Sequence, residues 1–90
     1  MILNDLSELC LNTNREIEAL NYAEKAFRIL EDIGEQLGMG FVYLTKGDIL
    51  LKLNKETDAI NNWRNAHQIG LALNHPSLLT SAMSRMKSER

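Results

Sequence analysis

The chain carries an internal repeat at an offset of 40 residues. Shifted by that distance, segment 11–29 falls on segment 51–69, and seven of the nineteen aligned pairs are identical. Other pairs agree in chemistry, as Arg15 does with Lys55. The matched stretch covers a turn and the helix expected after it. Repeats of this period are typical of arrays in which each unit is one supersecondary structure and neighbouring units share a core.

All of the predicted secondary structure is helical. Apolar residues recur at helical spacing, and no stretch alternates β-branched with polar residues as a half-buried strand does. We predict helices over about 2–11, 15–37, 41–53, 56–73 and 76–87. Their ends are expected at residues that accept left-handed backbone, which are Gly38, Gly40, Asn54 and Asn74. Pro76, the only proline, suits the first position of the last helix.

Composition indicates one small domain, residues 1–90, of ordinary globular character. Hydrophobic residues make up 44% of the chain and charged residues 24%, with a net charge of −2. Nothing in that balance marks a nucleic-acid binder or a binder of anionic membranes. Residues 1–38 hold eight acids and three bases, and residues 39–90 hold four acids and seven bases. This asymmetry either orients a partner or reflects two solvated faces.

The sequence also bears on location. A single cysteine, Cys10, excludes an internal disulfide and fits a reducing compartment. No apolar stretch approaches the roughly 18 residues of a membrane span, and the first residues lack the basic start of a signal peptide. We therefore predict a cytoplasmic protein.

The second repeat unit carries a recognisable pattern of small and apolar residues. At mutual spacings of three, nine, four and three stand Gly47, Leu50, Ala59, Trp63 and Ala66. The first unit matches it through Ser7, Cys10, Ala19 and Ala26. The pattern resembles the tetratricopeptide repeat, and the pairs Leu37-Gly38 and Leu73-Asn74 resemble the ending of its longer-period variant in kinesin light chains and many bacterial regulators. Lys46 departs from the pattern, because the family prefers an apolar residue there.

The resemblance implies an all-α fold, a right-handed solenoid of two helical hairpins plus one further C-terminal helix. The hairpins would span about 2–37 and 41–73, and the terminal helix about 76–87. Such arrays need polar capping faces at both ends. Since neither end carries one, we expect either a fragment of a longer protein or self-association that buries the open ends.

The resemblance also implies a concave groove lined by the first helix of each hairpin. The groove residues would be Asn4, Glu8, Asn12, Phe41, Leu44, Thr45, Asp48, Lys52, Ser81, Ser84 and Ser88. This set lacks the Lys/Asn/Arg combination with which chaperone-binding members clamp a C-terminal carboxylate. The implied function is a protein- or peptide-interaction module, a scaffold. The alternative is a peptide-sensing regulatory domain of a larger signalling or transcriptional regulator.

The sequence contains no recognisable pattern of catalytic or metal-binding residues. Cys10 has no basic neighbour in sequence to lower the pKa of its thiol. His67 and His75 are eight residues apart, which is not a metal-ligand spacing, and no Glu-x-x-His pair occurs. Trp63 matches the packing aromatic of the family and is expected in the core. The basic tail with Arg85 is read as a solvated face. We predict no enzyme, no metal and no cofactor.

Overall fold

The computed structural model describes residues 15–88, and within that range all regular structure is helical. Four helices follow one another: α1 (Glu16–Ile33), α2 (Gln36–Lys52), α3 (Glu56–Leu73) and α4 (Pro76–Ser88). Each helix packs mainly on its neighbours in sequence, and α2 also contacts α4. The expected helix over about 2–11 lies outside the described residues.

The break between α1 and α2 differs from the prediction. We expected one helix to run to about residue 37 and the next to start at Phe41, whereas α1 ends at Ile33 and α2 begins at Gln36. Gly34 has left-handed backbone with φ of 70°. The Glu35 carboxylate then caps α2 by accepting a hydrogen bond from the backbone N–H of Gly38 at 2.7 Å.

The later helix ends agree with the prediction. Asn54 and Asn74 have positive φ angles of 62° and 52°, so both supply the expected left-handed residue after a helix. Between them α3 covers Glu56–Leu73, and α4 starts at Pro76. The first helical position suits proline because the N–H it lacks would have no partner there.

The helices α1 and α3 correspond residue for residue at the 40-residue offset. Both contain 18 residues, and both are followed by one left-handed residue. Their buried positions coincide, being Ala19, Ala23, Ala26 and Leu30 in α1 and Ala59, Trp63, Ala66 and Gly70 in α3. The next residues match as well, since His75 Nδ1 accepts a hydrogen bond from the N–H of Leu78 where Glu35 accepts one from Gly38. These two helices thus share length, end residues and buried positions at the offset of the sequence repeat.

Two buried clusters fill the spaces between the helices. One joins α1 to α2 and includes Ala19, Ala23, Ala26, Leu30, Val42 and Ile49. The other joins α2, α3 and α4 and includes Leu44, Ala59, Trp63, Ala66, Leu78 and Ala82. Trp63 is 1% exposed, which confirms that it is a core residue. Because α2 contributes to both clusters, it is the central helix of the described part.

Gly34 provides a test of the turn that separates α1 from α2. A Cβ atom at this residue would meet nothing within 4 Å, so only the backbone conformation opposes a side chain. We expect Gly34→Ala to lower the free energy of unfolding by about 1–2 kcal/mol. Gly34→Asn should cost less, because Asn tolerates left-handed backbone and occupies the matching position 74. Urea denaturation measures both, and equal losses for the two variants would contradict this reading.

Candidate interaction surface

The helices α2 and α4 are joined on one side by an ion pair with two hydrogen bonds. Arg85 donates from Nε to Asp48 Oδ1 at 2.8 Å and from Nη2 to Asp48 Oδ2 at 3.1 Å. Its Nη1 donates to the backbone carbonyl of Ser81 at 3.1 Å. The Arg85 and Asp48 side chains are 35% and 30% exposed. The pair therefore lies at the edge of the core and fixes α4 against α2.

The predicted groove residue Asp48 is thus committed to a contact within the chain. Arg85 is not among the predicted groove residues, because the basic tail to which it belongs is predicted to be a solvated face. The two residues are 37 positions apart on different helices, and no residue spacing within a single helix predicts such a pair. The structure shows that the basic end of α4 is partly engaged in packing.

Leu44 and Thr45 do not face a groove, contrary to the prediction. Each is only 4% exposed. Leu44 belongs to the same buried cluster as Trp63, and the Thr45 hydroxyl donates to the backbone carbonyl of Phe41 at 3.3 Å. The physical reason is that α2 is contacted by α1, α3 and α4, so that nearly all of its residues are at least partly buried.

Phe41 lies at the margin of the core beside the turn before α4. Its ring meets the His75 ring edge-on, with centroids 5.9 Å apart. Phe41 and His75 are half-buried, so part of this aromatic pair is accessible. Since Nδ1 of His75 also accepts the N–H of Leu78, the imidazole ring is held in place. The pair forms a rigid, partly apolar feature at the surface.

The remaining predicted groove residues are dispersed. Lys52 is exposed in the last turn of α2, and Ser81 is half-buried. Ser84 is exposed and lines an open hollow on α4. Ser88 ends α4, and its side chain is not described. Asn4, Glu8 and Asn12 lie outside the described residues. We call Phe41, Asp48, Lys52 and Ser81, which lie on α2 and α4, the α2–α4 surface, and binding by these residues stays a prediction.

The alkyl chain of Lys46 lies beside an aromatic ring of α1, and its ammonium group lies near a carboxylate of the same helix. Its Nζ lies 5.4 Å from the centre of the Phe27 ring and 3.4 Å from Oε1 of Glu24. Phe27 also packs on Tyr43 with centroids 5.0 Å apart. The alkyl part of a lysine covers apolar side chains while its ammonium group stays near water and a carboxylate. This contact explains how a cation is accommodated where the repeat pattern prefers an apolar residue.

The Arg85–Asp48 pair can be tested by a double-mutant cycle. Both partners are about one-third exposed, so we expect a coupling free energy of only about 0.5–1 kcal/mol. The cycle uses Asp48→Ala, Arg85→Ala and the double variant, with urea denaturation at low and high salt. High salt should reduce the coupling. Arg85→Lys should keep less than half of it, because an ammonium group cannot make the two-pronged contact; full retention would contradict the geometry.

Among residues 15–88, no group of three or more His, Cys, Asp or Glu side chains is placed to hold a metal ion. In this described part no helix is both long and apolar enough to cross a membrane. The buried side-chain nitrogen of Trp63 has no hydrogen-bond partner, and it lies against Gly47 in the core.

No protein-family model, no curated protein and no solved structure matches this chain.

Proposed function

We propose that this chain is a protein- or peptide-interaction module built as a right-handed solenoid of tetratricopeptide-like hairpins. The observation that carries the proposal is the correspondence of α1 with α3, which share bounds, caps and buried positions at an offset of 40 residues. Units that repeat in this way stack side by side and create extended surfaces on which a partner can lie. We also propose that the protein works without catalysis, in the cytoplasm.

The α2–α4 surface combines an aromatic edge with a positive charge, and this combination supports the proposal that it binds a peptide. Phe41 and His75 offer a fixed aromatic edge, and Lys52 places a cation on an exposed turn of the same helix as Phe41. Rigid aromatic side chains supply binding energy at a small cost in conformational entropy, and nearby polar groups supply specificity. A peptide with one apolar anchor and one acidic residue is the partner that this surface fits best.

A selection from a displayed library of random peptides tests the proposal. Enriched peptides are then titrated against the chain and two charge-reversal variants, Lys52→Glu and Lys55→Glu. Both lysines are exposed, and the substitutions change the net charge equally, so Lys55→Glu is a matched control outside the proposed surface. We expect Lys52→Glu to raise the Kd at least fivefold, about 1 kcal/mol, and Lys55→Glu to leave it unchanged.

A third variant, Phe41→Ala, tests the aromatic anchor. It should weaken the same peptides by about tenfold or more, since truncated anchors lose most at interfaces. Circular dichroism must show that the variant remains folded at the temperature of the titration. Failure to enrich any peptide, or equal affinity for all variants, would overturn the proposal.

A further inference from the structure

The turn before α4 is closed by a histidine side chain. His75 precedes Pro76, the first residue of α4, and its Nδ1 accepts a hydrogen bond from the backbone N–H of Leu78 at 3.2 Å. At the matching position of the first turn, the Glu35 carboxylate accepts a hydrogen bond from the N–H of Gly38 at 2.7 Å. Both side chains therefore cap a helix in the same way, but with different acceptor groups.

The two caps respond differently to acid. The carboxylate of Glu35 remains an acceptor at pH values near neutrality, whereas an imidazole nitrogen accepts a hydrogen bond only while it carries no proton. An imidazole takes up its second proton in the range of about pH 5 to 8. Both ring nitrogens are then donors, so a protonated His75 cannot accept the N–H of Leu78. The cap of α4 is therefore lost in mild acid, whereas that of α2 is kept.

His75 lies at the point where three helices meet. Its backbone N–H donates to the carbonyl of Gly70 near the end of α3 at 2.9 Å, and its ring lies edge-on against Phe41 of α2. Leu78, whose N–H is capped, is fully buried, and its side chain lies against Gly40 of α2. Loss of the cap therefore loosens the first turn of α4 at a residue that holds this helix in the core.

No carboxylate is placed to neutralise a positive charge on His75. Within residues 15–88 the ring forms no ion pair. The adjoining segments 36–45, 68–74 and 76–84 contain no Asp, Glu, Lys or Arg, and Tyr43 is their only titratable side chain. Charged or titratable groups follow only beyond these segments, at Glu35, Lys46, Asp48, His67 and Arg85. Both carboxylates of that set are already bound, one to the backbone of α2 and the other to a guanidinium group of α4.

The start of α4 also disfavours a cation. The backbone N–H groups at a helix N-terminus carry a partial positive charge, which opposes a positive charge on His75. The Phe41 ring attracts a cation, but this single attraction does not offset both the lost hydrogen bond and the unfavourable dipole. Because the capped helix needs the neutral ring, the cap contributes fully to stability above the pH range in which imidazole is protonated. Its contribution is lost as the pH falls through that range.

We propose that His75 is a pH-sensitive cap, and that its protonation releases the first turn of α4 from α2. The Glu35 cap holds the start of α2 under the same conditions, so mild acid acts on one helix only. The released turn borders Phe41, which belongs to the α2–α4 surface. This switch does not depend on the proposed function, because stability and amide signals report it without any partner.

Urea denaturation at about pH 5 and about pH 8 tests the cap. An asparagine accepts the same N–H and does not titrate, so His75→Asn should remain as stable as the unaltered chain at the higher pH. On acidification the equilibrium constant for unfolding should rise about threefold more in the unaltered chain than in His75→Asn. His67→Gln, which removes the only other histidine, should behave like the unaltered chain. His75→Ala lacks the acceptor at both pH values and should unfold about threefold more readily at the higher pH.

Nuclear magnetic resonance shows where the change occurs. As the pH is lowered from about 8 to about 5, the amide signal of Leu78 should move in the unaltered chain and stay in place in His75→Asn. The amide signal of Gly38 should move much less, since its acceptor is a carboxylate. The proposal is wrong if His75→Asn and the unaltered chain show the same pH dependence of unfolding, or if the Leu78 signal does not respond. Loss of the pH dependence in His67→Gln would also contradict it, because the other histidine would then be responsible.

Discussion

Trp63→Ala should lower the free energy of unfolding by about 3–5 kcal/mol, the range for truncating a large buried aromatic side chain. The indole ring is 1% exposed and lies in the cluster that joins α2, α3 and α4. Its removal opens a cavity between three helices at once, and the surrounding backbone can close it only in part. Small domains are stable by only about 5–15 kcal/mol, so the loss is a large fraction of the total. Urea denaturation followed by far-UV circular dichroism measures it.

Two further variants show whether that loss comes from the cavity. Arg64→Ala alters the exposed neighbour in sequence and should change the free energy of unfolding by less than about 0.5 kcal/mol. Trp63→Phe should cost less than Trp63→Ala, because it keeps most of the ring and removes a buried N–H that has no partner. A loss below about 1 kcal/mol for Trp63→Ala would contradict the packing.

Gly47→Ala should destabilise the chain, although alanine is the better helix former by about 1 kcal/mol. A Cβ atom on Gly47 would lie 2.5 Å from Cδ1 of Trp63 and closer still to its Nε1. Neither the buried ring nor the helix backbone can move away easily, and overpacking of this kind costs about 1–3 kcal/mol. We expect the steric cost to exceed the gain in helix propensity.

The sign of that effect should reverse when the ring is absent. In the Trp63→Ala background the three ring atoms nearest to the added methyl group are absent, so Gly47→Ala should stabilise the chain by up to about 1 kcal/mol. A double-mutant cycle by urea denaturation measures the difference, and residues in direct contact are expected to be non-additive. Additive effects would show that the indole ring is not the obstacle at Gly47.

The helix boundaries from residue 53 onward were predictable from sequence because each of their end residues favours one kind of helix boundary. Asn54 and Asn74 end helices in left-handed backbone, and Pro76 begins one. The first boundary was missed because three glycines compete for the same role. Gly34 ends α1, whereas Gly38 and Gly40 lie inside α2, where they admit the side chains Leu30 and Leu78. Close packing between helices, which no local pattern contains, decides among such glycines.

The candidate surface was less predictable than the fold. Trp63 could be assigned to the core because it stands where the tetratricopeptide pattern, which the sequence resembles, has its packing aromatic. Leu44 and Thr45 were placed in a groove by the register of the repeat pattern, but burial from three neighbouring helices depends on the tertiary arrangement. The Asp48–Arg85 pair joins residues 37 positions apart. Such contacts follow from the packing of whole helices and have no signature in a single sequence.

At the first turn the large side chain belongs to the helix before the turn, and at the corresponding second turn it belongs to the helix after the turn. At the first turn Leu30 of α1 fills the space that Gly38 of α2 leaves open, and at the second turn Gly70 of α3 leaves space that Leu79 of α4 fills. If α1 paired with α4, as in an exchange of helices between two molecules, Leu30 would collide with Leu79. If Gly70 met Gly38 instead, a void would remain. The inverted volumes therefore favour α1 beside α2 and α3 beside α4 over the exchanged pairings during folding.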